Sequence, residues 1–469
     1  MAASNIVEIE PTHVHTHGSK STIRNFRLTT DSGGGLTVEL SCLGASITKL
    51  LVPNFADDGA PRDDVVLSYV SPLEQYDDKN APYFGCIVGR VANRIRQGRF
   101  DLEQGELRET ITYQLDRNNG TNHLHGGYDG FGYRVWEADI VGEEKSRTVR
   151  FTLTSPDGDQ GYPGAIRVVA EYSLVEAKAE AEEETGVKLC LSMRASLLPG
   201  ETKSTPIALS NHSYFNLAGH SHHAGILHHL LCMPNCHVFT PVDDTLIPTR
   251  TIQPVDINDE GQRKATTCMD FRIGKNVGDS LVQYGREKAG LSQNDATFNV
   301  VRRQASDGAA QVAKTVPKKV DEGGSGPNDS SSSDGELPYG FDHNYVIDHR
   351  DGNGSSCDGS NSLTLAAILS HPPTRRSLQI FTTAPGLQLY TSNYLDGTNP
   401  MPQFCKASKR YGQWQGICLE TQSYPDSIYR NGKAIPEKET DFAKGRCFII
   451  QPGGEEYSHC VEYVFGEMR

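Results

Sequence analysis

Apolar and polar side chains alternate along many short segments of this chain, and this alternation constrains the fold more than any other feature. In residues 36–42, Leu36, Val38 and Leu40 share one face, and the residues between them share the other. A repeat of two residues is that of a β-strand with one buried face. The same alternation recurs in residues 149–153, 188–195 and 461–465. No long segment carries the 3.6-residue apolar stripe of an amphipathic helix, so the sequence predicts an all-β protein.

Gly, Pro, Asn and Asp cluster between these segments, as in DSGGG, SPDGDQGYPG, FNLAGH and QPGGEE. Turns at such short intervals favour antiparallel strands over alternating strands and helices. We therefore expect a large antiparallel β-sandwich. Residues 25–469 are predicted to form one domain, and residues 1–24 a flexible N-terminal tail.

Three polar segments interrupt the strand pattern and are expected to be insertions into this domain, because strand patterns resume on both sides of each. Residues 176–186 are acidic and could form a short helix, although a solvated hairpin is the preferred interpretation. Residues 304–336 are rich in Gly, Ser and Asp and too poor in apolar groups to offset the entropy of ordering, so they should be mobile. Residues 350–361 are expected to lengthen a hairpin.

The net charge of −14 argues against nucleic acid as a partner, since an acidic chain repels polyphosphate. Eleven cysteines without a tight framework are expected to be free thiols of a reducing compartment. Cys232 and Cys236 form a C-x3-C pair with no second pair, a weak zinc signal beside the alternative of buried thiols. The chain shows no secretory signal and no run of 18 apolar residues, so no membrane span is expected. A cytoplasmic protein, a monomer or a weak dimer, is predicted.

Two histidines stand two positions apart in the segment NNGTNHLHGG. If this segment is extended, His123 and His125 project to one face. An H-x-H pair is a metal-ligand pattern in cupin-type jelly rolls, but Asp129 lies in a glycine-rich turn where that pattern needs a Glu. A structural histidine near a glycine turn is the alternative for either residue. No metal is predicted here.

Other candidate residues lie at the ends of predicted strands. His212 lies in NHSYFNLAG, where a lone histidine is usually structural, and Glu420 interrupts the apolar run GICL, where a carboxylate is costly unless it is hydrogen-bonded or functional. Asp342 lies in GFDHNYV, and Arg94 and Arg96 lie in GRVANRIRQGRF, although a surface arginine is the more ordinary outcome. Together these groups suit general acid–base chemistry on a polar, uncharged ligand.

Motifs for the common cofactors do not occur in the sequence. It has no glycine-rich phosphate loop followed by Lys, no G-x-S-x-G nucleophile turn and no dinucleotide fingerprint. We therefore expect no cofactor.

Nine ordered segments give the chain a family resemblance from about residue 25 to the C-terminus. They are PYFGCIVGRVANRIRQGRF (82–100), TNHLHGGYDGFGYRVW (121–136), SPDGDQGYPG (155–164), NHSYFNLAG (211–219), PVDDTLIPT (241–249), GFDHNYV (340–346), TTAPGLQLYTSNYLDG (382–397), GICLETQSYPDS (416–427) and QPGGEEYSHCVEYVFG (451–466). The sequence resembles the aldose 1-epimerases, the galactose mutarotase family. The resemblance implies a large antiparallel β-sandwich with a sugar in a cleft on one sheet.

The resemblance also implies roles for individual residues. Glu420 matches the family's general base, His212 its general acid and His125 its second active-site histidine. Four further residues match sugar-binding positions or neighbour them: Arg94, Asn93, Asp342 and Gln388. His123 matches no functional position. The insertion at 304–336 precedes Asp342, so it could alter which sugars fit.

The implied reaction interconverts the α and β anomers of a free aldohexose such as galactose or glucose. Opening the ring needs the C1 hydroxyl proton removed while the ring oxygen gains a proton, and a carboxylate with an imidazolium can do both. We consider three alternatives: a non-catalytic sugar-binding module, a hexose 6-phosphate mutarotase, and a glycoside hydrolase using Asp342 and Glu420. The first has no need of an acid–base trio, and the second asks for a basic cluster that the sequence lacks.

Overall fold

The structure, a computed structural model, describes most of the chain. The described residues are 5–16, 19–30, 35–57, 59, 61–78, 81–142, 148–176, 186–257, 267–288, 340–349, 354–355, 362–397, 405–406, 411–428 and 445–468.

Strands dominate the described residues. In chain order they are β1 (Asn5–Thr16), β2 (Ser19–Thr29), β3 (Thr37–Ser41), β4 (Ser46–Val52), β5 (Asp63–Asp64), β6 (Ile87–Val88), β7 (Arg94–Ile95), β8 (Arg99–Gln104), β9 (Glu109–Gln114), β10 (His123–Leu124), β11 (Glu137–Val141), β12 (Thr148–Ser155), β13 (Ile166–Glu176), β14 (Val187–Leu197), β15 (Thr205–Ile207), β16 (Ser210–Asn211), β17 (Tyr214–Phe215), β18 (Leu230–Cys232), β19 (Val238–Thr240), β20 (Gln253–Pro254), β21 (Lys275–Asn276), β22 (Asp342–Val346), β23 (Gly354–Ser355), β24 (Ser362–His371), β25 (Arg376–Thr382), β26 (Gly386–Tyr390), β27 (Ile417–Gln422), β28 (Phe448–Ile450) and β29 (Tyr457–Glu467). The helices are α1 (Pro72–Asp77) and α2 (Val277–Lys288).

The strands form three larger sheets and several two-stranded ones. One has the order β1-β2-β3-β4-β5, the ten-stranded sheet runs β11-β12-β13-β14-β29-β25-β24-β18-β21 with β23 beside β24, and the six-stranded sheet runs β17-β27-β26-β22-β19-β20. Neighbouring strands in all three are antiparallel. The prediction of an all-β, antiparallel sandwich is confirmed.

The main hydrophobic core lies between these sheets and takes alternate residues from each strand. Strand β14 contributes Leu191 and Met193, and the six-stranded sheet contributes Tyr345, Leu387 and Leu419. Because side chains alternate across a strand, the residues between those of the six-stranded sheet project to its other face. That other face carries the polar residues of the candidate site.

Two elements differ from the expectations. Residues 5–16, expected to lie in a flexible tail, form β1 and pair with β2 from Asn5 to Thr16. Helix α2 has 12 residues, although no long helical segment was expected. Its inner face carries three large side chains, the buried Val277 and Leu281 and the partly buried Tyr284, so the 3.6-residue apolar stripe is short.

The predicted insertions lie largely outside the described residues. This holds for 177–185, for all of 304–336 and for most of 350–361, where Gly354–Ser355 form β23 beside β24. Within the described residues, no helix has both the length and the apolar character needed to cross a membrane.

A fully buried arginine joins three parts of the fold. Arg376 at the start of β25 donates to the backbone oxygens of Pro53 and Leu217, at 2.8 Å each, and to Asp63 Oδ2 at 2.6 Å. A buried guanidinium is tolerated only when its donors are paired, and here it satisfies backbone oxygens that no strand ladder reaches.

We predict that Arg376→Met lowers the free energy of unfolding by about 3 kcal/mol, because it leaves buried acceptors without donors. Denaturant unfolding measures the change. Arg375→Met is the control, since the neighbouring Arg375 side chain is 55% exposed and pairs with Glu467 at the surface. Equal losses in the two variants would contradict the assigned role of Arg376.

Candidate active site

A cavity of about 870 Å³ opens on the polar face of the six-stranded sheet. Six of the seven residues singled out from the sequence line it: Glu420, His212, His125, Arg94, Asn93 and Asp342. They come from β27, β22 and the segments around β7, β10 and β16, which are far apart in the chain. Gln388 is buried on the same face of the sheet but does not line the cavity.

Strand register places the carboxylates of this site. Gln388 on β26 lies opposite both Asn344 on β22 and Glu420 on β27, and these three residues share the polar face. In the adjacent row, Tyr390 lies opposite Asp342 and Cys418. The three strands therefore hold Asp342 and Glu420 on one face, two strands apart.

His212 lies directly beside Glu420, with its Nε2 3.6 Å from Glu420 Oε1. Its backbone is fixed from both sides, because His212 N–H donates to Cys86 O and Gly85 N–H donates to His212 O. The imidazole stacks with two phenol rings, at centroid distances of 5.6 Å from Tyr83 and 5.0 Å from Tyr214 and interplanar angles of 28° and 25°. Backbone hydrogen bonds and stacking thus set the position of the ring.

One oxygen of Glu420 is buried without a hydrogen-bond partner in the described part of the chain. The side chain is 2% exposed, and among the described residues Glu420 Oε2 has no hydrogen-bond partner. A buried carboxylate oxygen without a donor is costly, and such exceptions point to a functional role. Glu420 also lines the cavity, so its unsatisfied carboxyl is a candidate functional group.

Burial shifts the pKa values of this pair in opposite directions. Desolvation raises the pKa of Glu420 well above its usual value, and the nearby Asp342 adds to the rise while Arg94 opposes it. Desolvation lowers the pKa of His212 to about 4, against a hydrogen bond to its own backbone. Both shifts favour the neutral forms, a protonated Glu420 carboxyl beside a neutral His212 imidazole. The expected imidazolium is not the form of His212 in the empty cavity, because a buried ring stacked with phenols lacks the solvent that would stabilise its charge.

His125 is held as a neutral hydrogen-bond donor. Asn93 N–H donates to His125 Nδ1 at 3.1 Å, and His125 N–H donates to Asn93 O at 3.1 Å. Because Nδ1 accepts, the ring proton resides on Nε2. Burial lowers the pKa of His125 well below its usual value, so the ring stays neutral. Gly126 follows with φ of 86°, and a Cβ there would come within 1.7 Å of Gly89 O, which explains the glycine.

Arg94 and Asp342 form an ion pair at the cavity wall. Arg94 Nη1 lies 3.5 Å from Asp342 Oδ2, and Arg94 Nε donates to Asn119 Oδ1 at 3.1 Å. Gln388 Nε2 donates to Asp342 Oδ1 at 2.6 Å. Gln388 thus orients the Asp342 carboxylate. The resemblance implied that Gln388 contacts the sugar directly, whereas the structure shows it bonded to Asp342.

The trio His125, His212 and Glu420 also resembles a metal-ligand set, because their ligand atoms lie within 4.8 Å of one another. The hydrogen bonding does not fit this. A ligating imidazole usually donates its second N–H to an acceptor, whereas His125 Nδ1 accepts the N–H of Asn93, so its Nε2 carries a proton and has no lone pair for a metal.

Several cavity residues were not predicted from the sequence. These are aromatic and amide side chains, chiefly Tyr83, Tyr214, Tyr390, Tyr394 and Asn119. All lie in the conspicuous motif segments, but side chains of these types are more often structural, so sequence alone does not separate them. His123 and Arg96 lie outside the cavity lining: His123 bonds Asp116 O and Tyr162 Oη, and Arg96 pairs with Asp243.

Known proteins are similar to this chain in sequence and in architecture. The profile of the aldose 1-epimerase family matches residues 27–283 and 271–442. The chain belongs to the aldose 1-epimerase family. It is 31% identical to rat galactose mutarotase over 443 residues (94% of each chain) and 31% identical to human galactose mutarotase over 444 residues (95% of this chain, 94% of the relative). It is 28% identical to the aldose 1-epimerase of Escherichia coli over 438 residues (93% and 94%).

Solved structures support the fold of this aldose 1-epimerase family member. A GalM/aldose epimerase homologue from C. elegans superposes with a TM-score of 0.63 at 22% identity, covering 100% of both chains. The galactose 1-epimerase of Lactobacillus acidophilus superposes with a TM-score of 0.62 at 23% identity, also covering 100% of both. Membership of the aldose 1-epimerase family makes the protein an isomerase that interconverts sugar anomers.

We predict that the His212 imidazole remains neutral until the pH falls to about 4, because burial disfavours its charged form. An NMR titration of the histidine ring resonances measures this, with His212→Gln assigning the signal. A midpoint near 6.5 would show that the ring is solvated in the empty cavity.

Proposed function

We propose that this protein interconverts the α and β anomers of a free aldohexose, galactose or glucose, by proton exchange with Glu420 and His212. The observation that carries the proposal is the buried pair itself, with 3.6 Å between His212 Nε2 and Glu420 Oε1. Glu420 Oε2 is buried without a hydrogen-bond partner among the described residues, and Glu420 itself lines the cavity.

Ring opening moves two protons. Glu420 takes the proton of the C1 hydroxyl, the bond between C1 and the ring oxygen breaks, and His212 Nε2 gives a proton to the ring oxygen. The resulting aldehyde rotates about the C1–C2 bond, and closure on the other face returns both protons. No net charge, electron or atom is lost, so the cycle needs no cofactor.

The pKa shifts favour this direction of transfer. Opening begins with a Glu420 carboxylate and a His212 imidazolium and ends with both groups neutral. The neutral pair is the form that burial stabilises, because desolvation raises the pKa of Glu420 and lowers that of His212. A hydrogen bond from the C1 hydroxyl of the bound sugar stabilises the Glu420 carboxylate before transfer.

The remaining residues bind and orient the sugar. His125 donates from its neutral Nε2 to an oxygen near the reacting centre, where negative charge develops. Arg94, Asn93 and Asp342 hold hydroxyl groups, and Gln388 acts through Asp342. Together they favour an enzyme over a sugar-binding module, which would not require a buried acid–base pair with shifted pKa values.

The charges of the cavity favour a neutral sugar over a hexose phosphate. Among the described cavity-lining residues, Arg94 is the sole arginine or lysine, whereas four carboxylate residues line the same space: Asp244, Asp342, Asp396 and Glu420. A phosphate would meet like charges without a cationic cluster to offset them.

We further propose a cytoplasmic protein that is a monomer or a weak dimer and does not bind nucleic acid. All ten cysteines in the described part of the chain are free thiols, which supports a reducing compartment. The net charge of −14 supports the absence of nucleic acid as a partner.

We predict that Glu420→Gln lowers kcat for anomer exchange by about 10²-fold or more, because the amide cannot take the hydroxyl proton. Polarimetry of freshly dissolved α-galactose measures the rate. Glu462→Gln is the matched control, a carboxyl that is 9% exposed and outside the cavity lining. Wild-type exchange in the folded Glu420→Gln variant would remove Glu420 from the reaction.

We predict that kcat/KM for galactose 6-phosphate is at least about tenfold below that for galactose, because like-charge contacts cost several kcal/mol. Anomerisation rates of both sugars measure the ratio. The control is 6-deoxygalactose, which lacks the C6 hydroxyl but carries no charge. Its kcat/KM should stay close to that of galactose if the phosphate charge causes the loss. Equal rates for the phosphate and the free sugar would favour a hexose phosphate as substrate.

A further inference from the structure

One strand supplies a neighbour to each nitrogen of the His212 ring. On β27, Glu420 faces Nε2 at 3.6 Å, and Cys418 Sγ lies 3.6 Å from Nδ1. The two residues are two positions apart and therefore share the polar face of the sheet. Cys418 is fully buried and lies opposite Tyr214 on β17 and Tyr390 on β26, so its thiol has a fixed position.

The group at the second nitrogen of an acid–base histidine decides which nitrogen carries the proton. A carboxylate in that position fixes the N–H and stabilises the imidazolium. A thiol is a weak donor and a weak acceptor, so it can donate S–H to a bare nitrogen and accept from an N–H. Burial raises the pKa of Cys418 well above its usual value, so the thiol keeps its proton.

Other groups around the ring cannot do the same. The ring faces meet the phenols of Tyr83 and Tyr214, and His125 and Tyr390 meet the ring edge-on. The backbone carbonyl of His212 can accept from an N–H but cannot donate to a bare nitrogen. Of the described groups in contact with Nδ1, the Cys418 thiol is the one that can pair with both protonation states.

We propose that Cys418 is a positioning residue for the anomer exchange: its thiol donates to Nδ1 of neutral His212, which leaves the ring proton on Nε2, and accepts from Nδ1 when His212 is charged. This rests on the proposed function. The exchanging proton is thereby kept at the nitrogen that faces Glu420 and the sugar. Because the sulfur is a weak partner in both states, it does not hold the imidazolium as a carboxylate would, and His212 releases its proton to the ring oxygen.

The test compares three cysteine variants in the full chain. Cys418→Ala removes the partner, and Cys418→Ser keeps a group that both donates and accepts. Cys447→Ala is the matched control, because Cys447 is a buried thiol that donates to Ile207 O at 3.3 Å and lies outside the cavity lining. If Cys418→Ala fails to fold, Cys418→Val fills the space without a donor.

Two measurements are made on each variant. Nitrogen-15 NMR of the histidine rings, without sugar, gives the share of His212 protonated on Nε2, and polarimetry gives kcat and KM. Cys418→Ala should move protonation from Nε2 towards Nδ1 and lower kcat by about tenfold with KM unchanged, less than the 10²–10⁴ of losing a general acid. Cys418→Ser should restore both values, and Cys447→Ala should change neither.

Wild-type ring shifts and wild-type kcat in folded Cys418→Ala or Cys418→Val would overturn the proposal, as would an equal loss in Cys447→Ala. The NMR measurement needs no activity. A changed ring proton in Cys418→Ala together with no anomer exchange in the wild-type protein would refute the proposed function, and the placement of the His212 proton by Cys418 would stand.

Discussion

The site depends on the opposite character of the two faces of the six-stranded sheet. Leu387 and Leu419 project into the hydrophobic core, whereas Gln388 and Glu420, one position along each strand, project to the cavity side. Core packing fixes this alternation, because a shift of one residue would bury the polar face and expose the apolar one. The burial of apolar side chains that stabilises the sandwich therefore also holds the Glu420 carboxyl in place.

Desolvation then gives the site its chemistry. A carboxyl and an imidazole in water would form an ion pair near neutral pH, but at this site burial favours the neutral form of each. Ring opening ends in that neutral form, so the low-dielectric surroundings favour the products of the proposed proton transfer. The phenols of Tyr83 and Tyr214 are part of this effect, since they stack with the His212 ring and help to bury it.

Neighbouring polar groups orient the side chains that are proposed to react or to bind. Gln388 donates to Asp342, Asn93 N–H fixes the proton of His125 on Nε2, and Cys418 lies at the far nitrogen of His212. Each of these contacts decides which atom donates and which accepts, and none of them adds a charged group to the site. The activity of this aldose 1-epimerase site therefore depends on residues besides the acid–base trio. Substituting such a positioning residue should alter the reaction rate although no reacting atom is removed.

The sequence alone determined the antiparallel β architecture, since a two-residue apolar repeat can bury its face only in a layered sheet. Its motifs, through a family resemblance, also indicated Glu420, His212, His125, Asp342, Arg94 and Asn93, all of which the structure brings to one cavity. The pairing of Asn5–Thr16 with β2 and the helix Val277–Lys288 carried too little apolar signal to predict. Only the tertiary structure decided that Gln388 donates to Asp342 and that burial favours the neutral form of His212. Distances and desolvation depend on which strands become neighbours, and local sequence does not encode them.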